Sequence, residues 1–251
     1  MRIALTAVAS LRAELPSRRV EPPPYDRWRE PPRRPGRMDR ASLHALWVAQ
    51  EALRALPLSE RASLALVLGT ALGCAEVNEA YHRGLSRDGA DGASPALFAQ
   101  TIPSAPLGEV AIATGARGPA ITVMAGRCSA AAALVSARRM LLTGKATRAL
   151  VIASDTLGED REPVRAARGE APGAEATVAM LLEREDVAGG RLATLDAVTV
   201  TTADEVAAVE PVDWMGAAAV IDLPEWLSGD GEALAVTVRD GRARADVRWT
   251  R

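Results

Sequence analysis

Hydrophobic and polar positions follow the period of a strand in some segments of this chain and the period of a helix in others. Near the N-terminus, Ile3, Leu5 and Ala7 alternate with their neighbours, and this period of two residues predicts a β-strand. From Asp39 to Leu56, apolar residues recur at helical spacing and form one stripe. This second segment is predicted to be an amphipathic helix with Asp39 as its N-cap.

Short continuous apolar runs predict strands that are buried on both faces. Such runs lie at residues 63–69, 120–126 and 149–155, and further strands are predicted at 176–184 and 191–202. Helical patterns between the strands are found at residues 75–85, 106–114 and 127–144. This order of elements predicts an α/β layered fold in which helices cover a mostly parallel sheet. Because no boundary divides the chain, residues 1–251 are predicted to form a single domain.

Three segments depart from this alternation. Residues 14–37, called the arm below, are so rich in proline that a helix or central strand is excluded. The charged residues 158–175 are predicted to be a solvated loop. Residues 214–250 are predicted to end the chain with a short helix and two strands, at 233–240 and 242–249. The arm is either a plain surface loop or a basic contact for an acidic partner, through Arg18, Arg19, Arg27, Arg29, Arg33, Arg34 and Arg37.

Composition narrows the possible functions. The 251 residues are 48% hydrophobic and 25% charged with a formal net charge of -2, which indicates neither a disordered chain nor a nucleic-acid-binding protein. Two cysteines and two histidines argue against a disulfide scaffold and a metal centre, and no cofactor is predicted. No apolar run reaches the roughly 18 residues of a membrane span. A strand explains the apolar N-terminus better than a signal peptide does, so we expect a cytoplasmic protein.

The candidate chemistry lies where the strand at 120–126 meets the following helix. A residue at such a junction faces free backbone N–H groups and the positive end of the helix dipole, which lowers the pKa of a thiol. Cys128 occupies this position and is therefore a candidate nucleophile. The alternative is that Cys128 is a small buried side chain, as most intracellular cysteines are.

The region around Cys128 resembles the N-terminal half of a β-ketoacyl synthase of the thiolase superfamily. The resemblance covers roughly residues 1–184 and is carried by Gly118-Pro119, Ile121-Thr122-Val123, Gly144, residues 151–155 and the stretch GAEATVAMLLE at 173–183. It implies a thiolase-like layered fold, here one compact half in βαβαβαβ order with a shortened second half. It also implies a cysteine nucleophile at the helix start for acyl transfer, the activity of a β-ketoacyl-carrier-protein synthase.

Two departures from the family pattern qualify this expectation. In the register without gaps, Arg127 and not Cys128 takes the position of the family's nucleophile. The family's second half supplies two further catalytic residues, two histidines or a histidine and an asparagine, yet no histidine follows Cys128 in this chain. His44 and His82 both lie upstream, at positions without a catalytic role in the family. Arg127, Cys128 and Ser129 are accordingly candidate substrate-binding residues, with Cys128 catalytic only if the protein is active.

Three functions remain open at this point. The leading hypothesis is a non-condensing protein that resembles a chain-length factor and pairs with an active ketosynthase of a fatty-acid or polyketide type pathway. The second is an active acyltransferase with Cys128 as nucleophile. The third is a scaffold that binds an acyl carrier protein through the arm. By resemblance, a homodimer or heterodimer would form on the strand before the nucleophile position, through Ile121, Thr122, Val123 and Met124.

Overall fold

The structure is a computed structural model that describes residues 2–15, 17–202, 214–240 and 243–251. Within these ranges the chain forms one eight-stranded sheet and eight α-helices. The strands are β1 (Ile3–Arg12), β2 (Ala65–Gly69), β3 (Ala120–Val123), β4 (Arg148–Asp155), β5 (Ala176–Arg184), β6 (Ala193–Thr202), β7 (Ala233–Asp240) and β8 (Ala243–Thr250). The helices are α1 (Arg40–Ala52), α2 (Leu58–Arg61), α3 (Ala75–Asp88), α4 (Pro95–Phe98), α5 (Ala105–Thr114), α6 (Ser129–Leu142), α7 (Arg161–Ala167) and α8 (Leu223–Ser228).

The sheet has the order β3-β2-β4-β5-β1-β6-β8-β7. Only β2 pairs in parallel with its neighbours, β3 and β4, whereas every other described pairing is antiparallel. The prediction of a mostly parallel sheet is therefore wrong. A strand buried on both faces is continuously apolar whichever way its neighbours run, so the pattern of β4 and β5 could not reveal their direction.

The predicted starts of the first strand and the first helix are confirmed, whereas α1 ends at Ala52 and not at Leu56. β1 begins at Ile3, and α1 begins one residue after Asp39, whose carboxylate accepts a hydrogen bond from Ser42 N–H at 2.9 Å. The apolar stripe of α1 is buried, and its one polar member, Gln50, donates from Nε2 to the carbonyl of Glu30 at 2.7 Å. The polar residue in the stripe therefore holds the arm against α1.

Helix α6 is the central element of the larger hydrophobic cluster. Strands from both halves of the sheet contact it. These are β2 and β4 in the half that ends with β3, and β6 and β8 in the half that ends with β7. Its buried alanines and leucines share this cluster with Val238, Val247 and Trp249 of the C-terminal hairpin formed by β7 and β8. The last strands of the chain thus cover the same helix that the first parallel strands support.

Two further predictions needed correction, and a third is matched within the described residues. β3 ends at Val123 and not at residue 126, because the chain turns at Gly126, whose φ is +52°. The segment 158–175 is not entirely a loop, since it contains α7, where Glu162 and Arg165 form an ion pair one turn apart. The predicted ending at 214–250 corresponds to a 3₁₀ turn, α8, β7 and β8, with residues 241–242 outside the described ranges.

Candidate functional site

The junction between β3 and α6 is a tight turn, residues 124–128, which we call the elbow. Gly126 adopts a left-handed conformation there, and α6 begins at Ser129. The hydroxyl of Ser129 accepts a hydrogen bond from Ala125 N–H at 2.9 Å and donates one to the carbonyl of Thr70 at 2.8 Å. Ser129, predicted to bind substrate, is completely buried and braces the elbow against the end of β2.

Arg127 lies at the tip of the elbow and is half-buried. Its backbone N–H donates to Asp240 Oδ2 at 2.9 Å, and its Nη1 donates to the carbonyl of Arg239 at 3.1 Å. A guanidinium at a helix N-terminus is unfavourable by about 0.3–1 kcal/mol unless an anion lies nearby. Asp240, at the end of β7, supplies that anion. Asp240 could not be predicted as part of the site, because nothing in the local sequence pattern indicates a contact across 113 positions.

Cys128 faces the interior. Its side chain has no exposed surface, and Sγ lies 3.9 Å from the carbonyl oxygen of Val238 in β7. Burial raises the pKa of the Cys128 thiol, and the charge of Asp240 raises it further, while Arg127 lowers it. Because the thiolate is the nucleophilic form, this environment favours the less reactive thiol form of Cys128.

The two histidines lie on other elements. His44 is buried in α1, where desolvation and the charge of Arg40 lower its pKa to about 4. His82 is exposed on α3, and its ring packs edge-on against Tyr81 with 5.8 Å between the centroids. Cys128 is not among the described contacts of His44 or His82, so neither imidazole lies beside its sulfur.

A buried carboxylate, that of Asp155 at the end of β4, is linked to the elbow through Thr70. It accepts hydrogen bonds from Thr70 Oγ1 at 2.6 Å, Leu72 N–H at 2.7 Å and Gly216 N–H at 2.8 Å. Burial raises the pKa of Asp155, and these hydrogen bonds oppose that rise. Since Thr70 also accepts from Ser129, the carboxylate joins the turn after β2, the elbow and the C-terminal part of the chain.

The arm is docked and irregular, as its composition predicts. The indole N–H of Trp28 donates to the carbonyl of Pro23 at 2.8 Å, and its ring meets Trp47 of α1 at 5.3 Å in a T-shaped contact. Of the arginines proposed as a basic contact, Arg18 pairs with Glu162 and Arg19 with Glu76. The exposed side chains of a groove of about 780 Å³ between the arm, α1 and α5 include Arg33, Arg34 and Arg37.

The predicted dimer residues lie at one edge of the sheet. β3 has β2 on one side and no described strand on the other. Ile121 is 40% exposed, and Met124, which follows the strand as the first residue of the elbow, is 51% exposed. Thr122 and Val123 are partly buried. Two apolar side chains are therefore presented to solvent beside an unpaired strand.

Two other features are absent from the described residues. No cluster of three or more His, Cys, Asp and Glu side chains that could hold a metal ion lies within these ranges. Likewise, none of the helices formed by the described residues is long and apolar enough to cross a membrane.

Comparisons with known proteins agree with this geometry. Nodulation protein E of Rhizobium sp. (strain N33) is 35% identical over 122 residues, which are 47% of this chain and 30% of that protein. The chain therefore spans about a third of the length of the curated relative that it matches. Two similar structures are the ishigamide ketosynthase/chain length factor (TM-score 0.78, 16% identity, 100% of this chain and 99% of that one) and a ketosynthase in complex with its chain length factor from Xenorhabdus doucetiae (0.69, 19%, 100% and 100%).

A third similar structure is a type II polyketide synthase acyl carrier protein in complex with its ketosynthase, with a TM-score of 0.85 at 13% identity over 99% of both chains. Identities this low establish the fold alone. The model of the β-ketoacyl synthase N-terminal domain matches residues 24–185, which is more than half of the chain. The chain therefore belongs to the β-ketoacyl synthase family and has its thiolase-like α/β fold.

Proposed function

We propose that this protein is a non-condensing partner of an active β-ketoacyl synthase, similar to a chain-length factor, in an acyl-carrier-protein-dependent pathway of the fatty-acid or polyketide type. The observation that carries the proposal is the elbow. It holds Arg127 at its tip and directs Cys128 into the core at 0% exposure. A guanidinium cannot be acylated as a thiolate is, so the family's condensation has no nucleophile at this position.

The absence of an imidazole near the elbow supports the same proposal. Condensation in this family uses two further side chains to polarise the thioester carbonyl and to stabilise the charge that forms on decarboxylation. His44 and His82 lie in α1 and α3, and neither contacts Cys128 in the described structure. Residues 203–213 lie outside the described ranges and contain no histidine.

The exposed edge of β3 is the surface we propose for the partner. A four-residue strand with unpaired backbone groups and an exposed Ile121 is a liability in a monomer. Pairing with the equivalent strand of a ketosynthase, or of a second copy of this chain, would satisfy those groups and cover Ile121 and Met124. One similar structure is itself a ketosynthase in complex with a chain length factor, which favours the heterodimer.

The arm favours a second interaction, with an acyl carrier protein. Arg33, Arg34 and Arg37 are exposed around an open groove, whereas Arg18 and Arg19 are engaged by glutamates of the same chain. An acidic carrier protein would be attracted to the first three and not to the last two. If pairing with a ketosynthase fails and carrier binding survives, the chain is a scaffold module.

The experiment is reconstitution with an intact ketosynthase and carrier protein from a type II system. We expect a 1:1 complex in light scattering and condensation that requires the ketosynthase's own cysteine, since replacing that cysteine by alanine should abolish product. Condensation by this chain alone would refute the proposal. Replacing Arg33, Arg34 and Arg37 by Glu should weaken carrier binding at least about tenfold at low salt. The matched control replaces three other exposed arginines, Arg87, Arg139 and Arg248, by Glu and should leave carrier binding unchanged.

A further inference from the structure

The start of α6 faces a carboxylate from the far end of the chain. Asp240 is the last residue of β7, where it pairs with Ala243 of β8 at the closed end of the hairpin. Its Oδ2 accepts a hydrogen bond of 2.9 Å from the backbone N–H of Arg127. A carboxylate that accepts a backbone N–H at a helix N-terminus is placed where negative charge is most favourable.

Gly126 provides the space for this carboxylate. A Cβ atom built on Gly126 would lie 1.6 Å from Asp240 Oδ2, far inside any permissible contact. The φ of +52° at Gly126 is also one that side-chain-bearing residues rarely adopt. The missing side chain of Gly126 therefore leaves room for the carboxylate oxygen that accepts the Arg127 N–H.

The hairpin that carries Asp240 is fixed by packing elsewhere. Val238, Val247 and Trp249 are buried in the cluster around α6. Two backbone carbonyls of β7 also meet the elbow, that of Val238 at 3.9 Å from Cys128 Sγ and that of Arg239 at 3.1 Å from the guanidinium of Arg127. The position of Asp240 therefore does not depend on its own hydrogen bond alone.

Backbone N–H groups at a helix start are the donors that stabilise the oxygen of a reacting carbonyl in acyl transfer. We infer that Asp240 is a built-in anion that occupies such a donor and closes the elbow from within against a thioester carbonyl. This inference rests on the proposed function and deepens it, because the elbow would be closed whichever residue stood at position 127. The closing group belongs to the C-terminal hairpin and not to the part of the chain that matches the family model.

The test places a thiol at the tip of the elbow and then removes the charge of Asp240. Arg127→Cys and Arg127→Cys/Asp240→Asn are treated with iodoacetamide, whose iodide leaves as the thiolate sulfur forms the new S–C bond, and labelling at position 127 is followed by peptide mass. We expect Asp240→Asn to raise the labelling rate at pH 7 about tenfold, because loss of the negative charge beside position 127 favours the thiolate. Arg127→Cys/Asp246→Asn is the matched control, since Asp246 lies on the same hairpin and pairs with Arg244.

Equal labelling rates with and without the carboxylate of Asp240 would overturn the inference. A second measurement uses the unaltered elbow, so it holds even if the Arg127→Cys variants fold poorly. The chemical shift of the Arg127 amide in ¹⁵N-edited spectra should change in Asp240→Asn and should not change in Asp246→Asn. An Arg127 chemical shift that is unchanged in Asp240→Asn would also overturn the inference. Neither measurement involves a partner protein. A negative result in them therefore does not bear on the proposed pairing with a ketosynthase, and a failure to pair does not bear on the closed elbow.

Discussion

The two edge strands of the single sheet differ in what they present to their surroundings. β3 is four residues long, and the exposed side chain of Ile121 and the neighbouring Met124 are large and apolar. β7 is eight residues long, and its exposed positions carry Ala233, Ala235 and Thr237. Long apolar side chains beside an unpaired strand favour association, whereas small and polar ones do not.

The far ends of these strands also differ. β3 leads directly into the elbow, and β7 ends on the elbow from the opposite edge of the sheet through Asp240. The family's nucleophile position thus lies between an edge open to another protein and an edge that covers it. Under the proposed function, the features that prevent catalysis and the surface that pairs with a ketosynthase belong to opposite edges of one sheet.

The largest expected effect on stability comes from a substitution in the β7–β8 hairpin, the edge of the sheet that covers the elbow. Trp249 has no exposed surface and lies in the cluster that joins the hairpin to α6. Trp249→Ala should lower the free energy of unfolding by about 3–5 kcal/mol, since it leaves a large cavity. Trp249→Phe should cost less than about 2 kcal/mol, because the indole Nε1 has no hydrogen-bond partner among the described residues. Chemical denaturation measures both, and equal losses would contradict this assignment.

The next largest effect tests whether β3, the opposite edge of the sheet, forms the interface with a partner. Ile121→Lys places a charge in the proposed interface, so the dissociation constant of the pair should rise about 100-fold, the cost of burying an unpaired ammonium. Val164→Lys is the matched control, because Val164 is 49% exposed on α7, away from β3. Sedimentation equilibrium measures the constants. An unchanged constant for Ile121→Lys would remove β3 from the interface.

A smaller effect tests the contact between the covering edge and the elbow. Gly126→Ala should destabilise the protein by about 1–3 kcal/mol through the clash with Asp240 and the strain of a positive φ. In an Asp240→Ala background only the strain remains, so the loss should fall to about 1 kcal/mol. Gly144→Ala is the control, with φ of +72° and no atom within 4 Å of the new Cβ. Identical losses in both backgrounds would show that Asp240 does not occupy the space beside Gly126.

The smallest effect, taken per pH unit, is the pH dependence of stability that comes from His44, which lies in α1 and on neither edge strand. The pKa of His44 is lowered from 6.5 to about 4, so the folded state excludes a proton that the unfolded chain accepts. Stability is therefore complete above pH 6.5 and is lost as the pH falls towards 4, by roughly 1 kcal/mol per pH unit. His44→Gln should flatten this slope, while Ile121→Lys and Asp240→Asn should keep it. A slope that survives in His44→Gln would assign the titration to another group.

Much of the fold follows from local patterns. The stripe on α1, the cap at Asp39 and the buried runs of β2 and β4 were predicted because each is a repeat of neighbouring residues. α7 was missed because it is short and charged and has a proline, Pro163, in its first turn, and one of its ion pairs is with Arg18 of the arm. The direction of β5 was missed because complete burial removes the alternation that would distinguish the faces.

The candidate site was predictable only in part. Arg127 and Cys128 could be placed at a helix start from sequence, since a strand, a glycine and a small-residue helix follow one another directly. The inward direction of Cys128 and the role of Asp240 were not predictable. Both depend on a hairpin more than 100 positions away in the chain, and only the folded sheet brings it to the elbow.

The most direct measurement of the central claim is the site of acylation in the reconstituted pair. The complex with an active ketosynthase is incubated with an acyl thioester, and peptide masses locate the acyl group. We expect it on the ketosynthase's nucleophilic cysteine and none on Cys128, whose sulfur is buried against β7. An acyl group on Cys128 would contradict the assignment of this chain as the partner that does not condense.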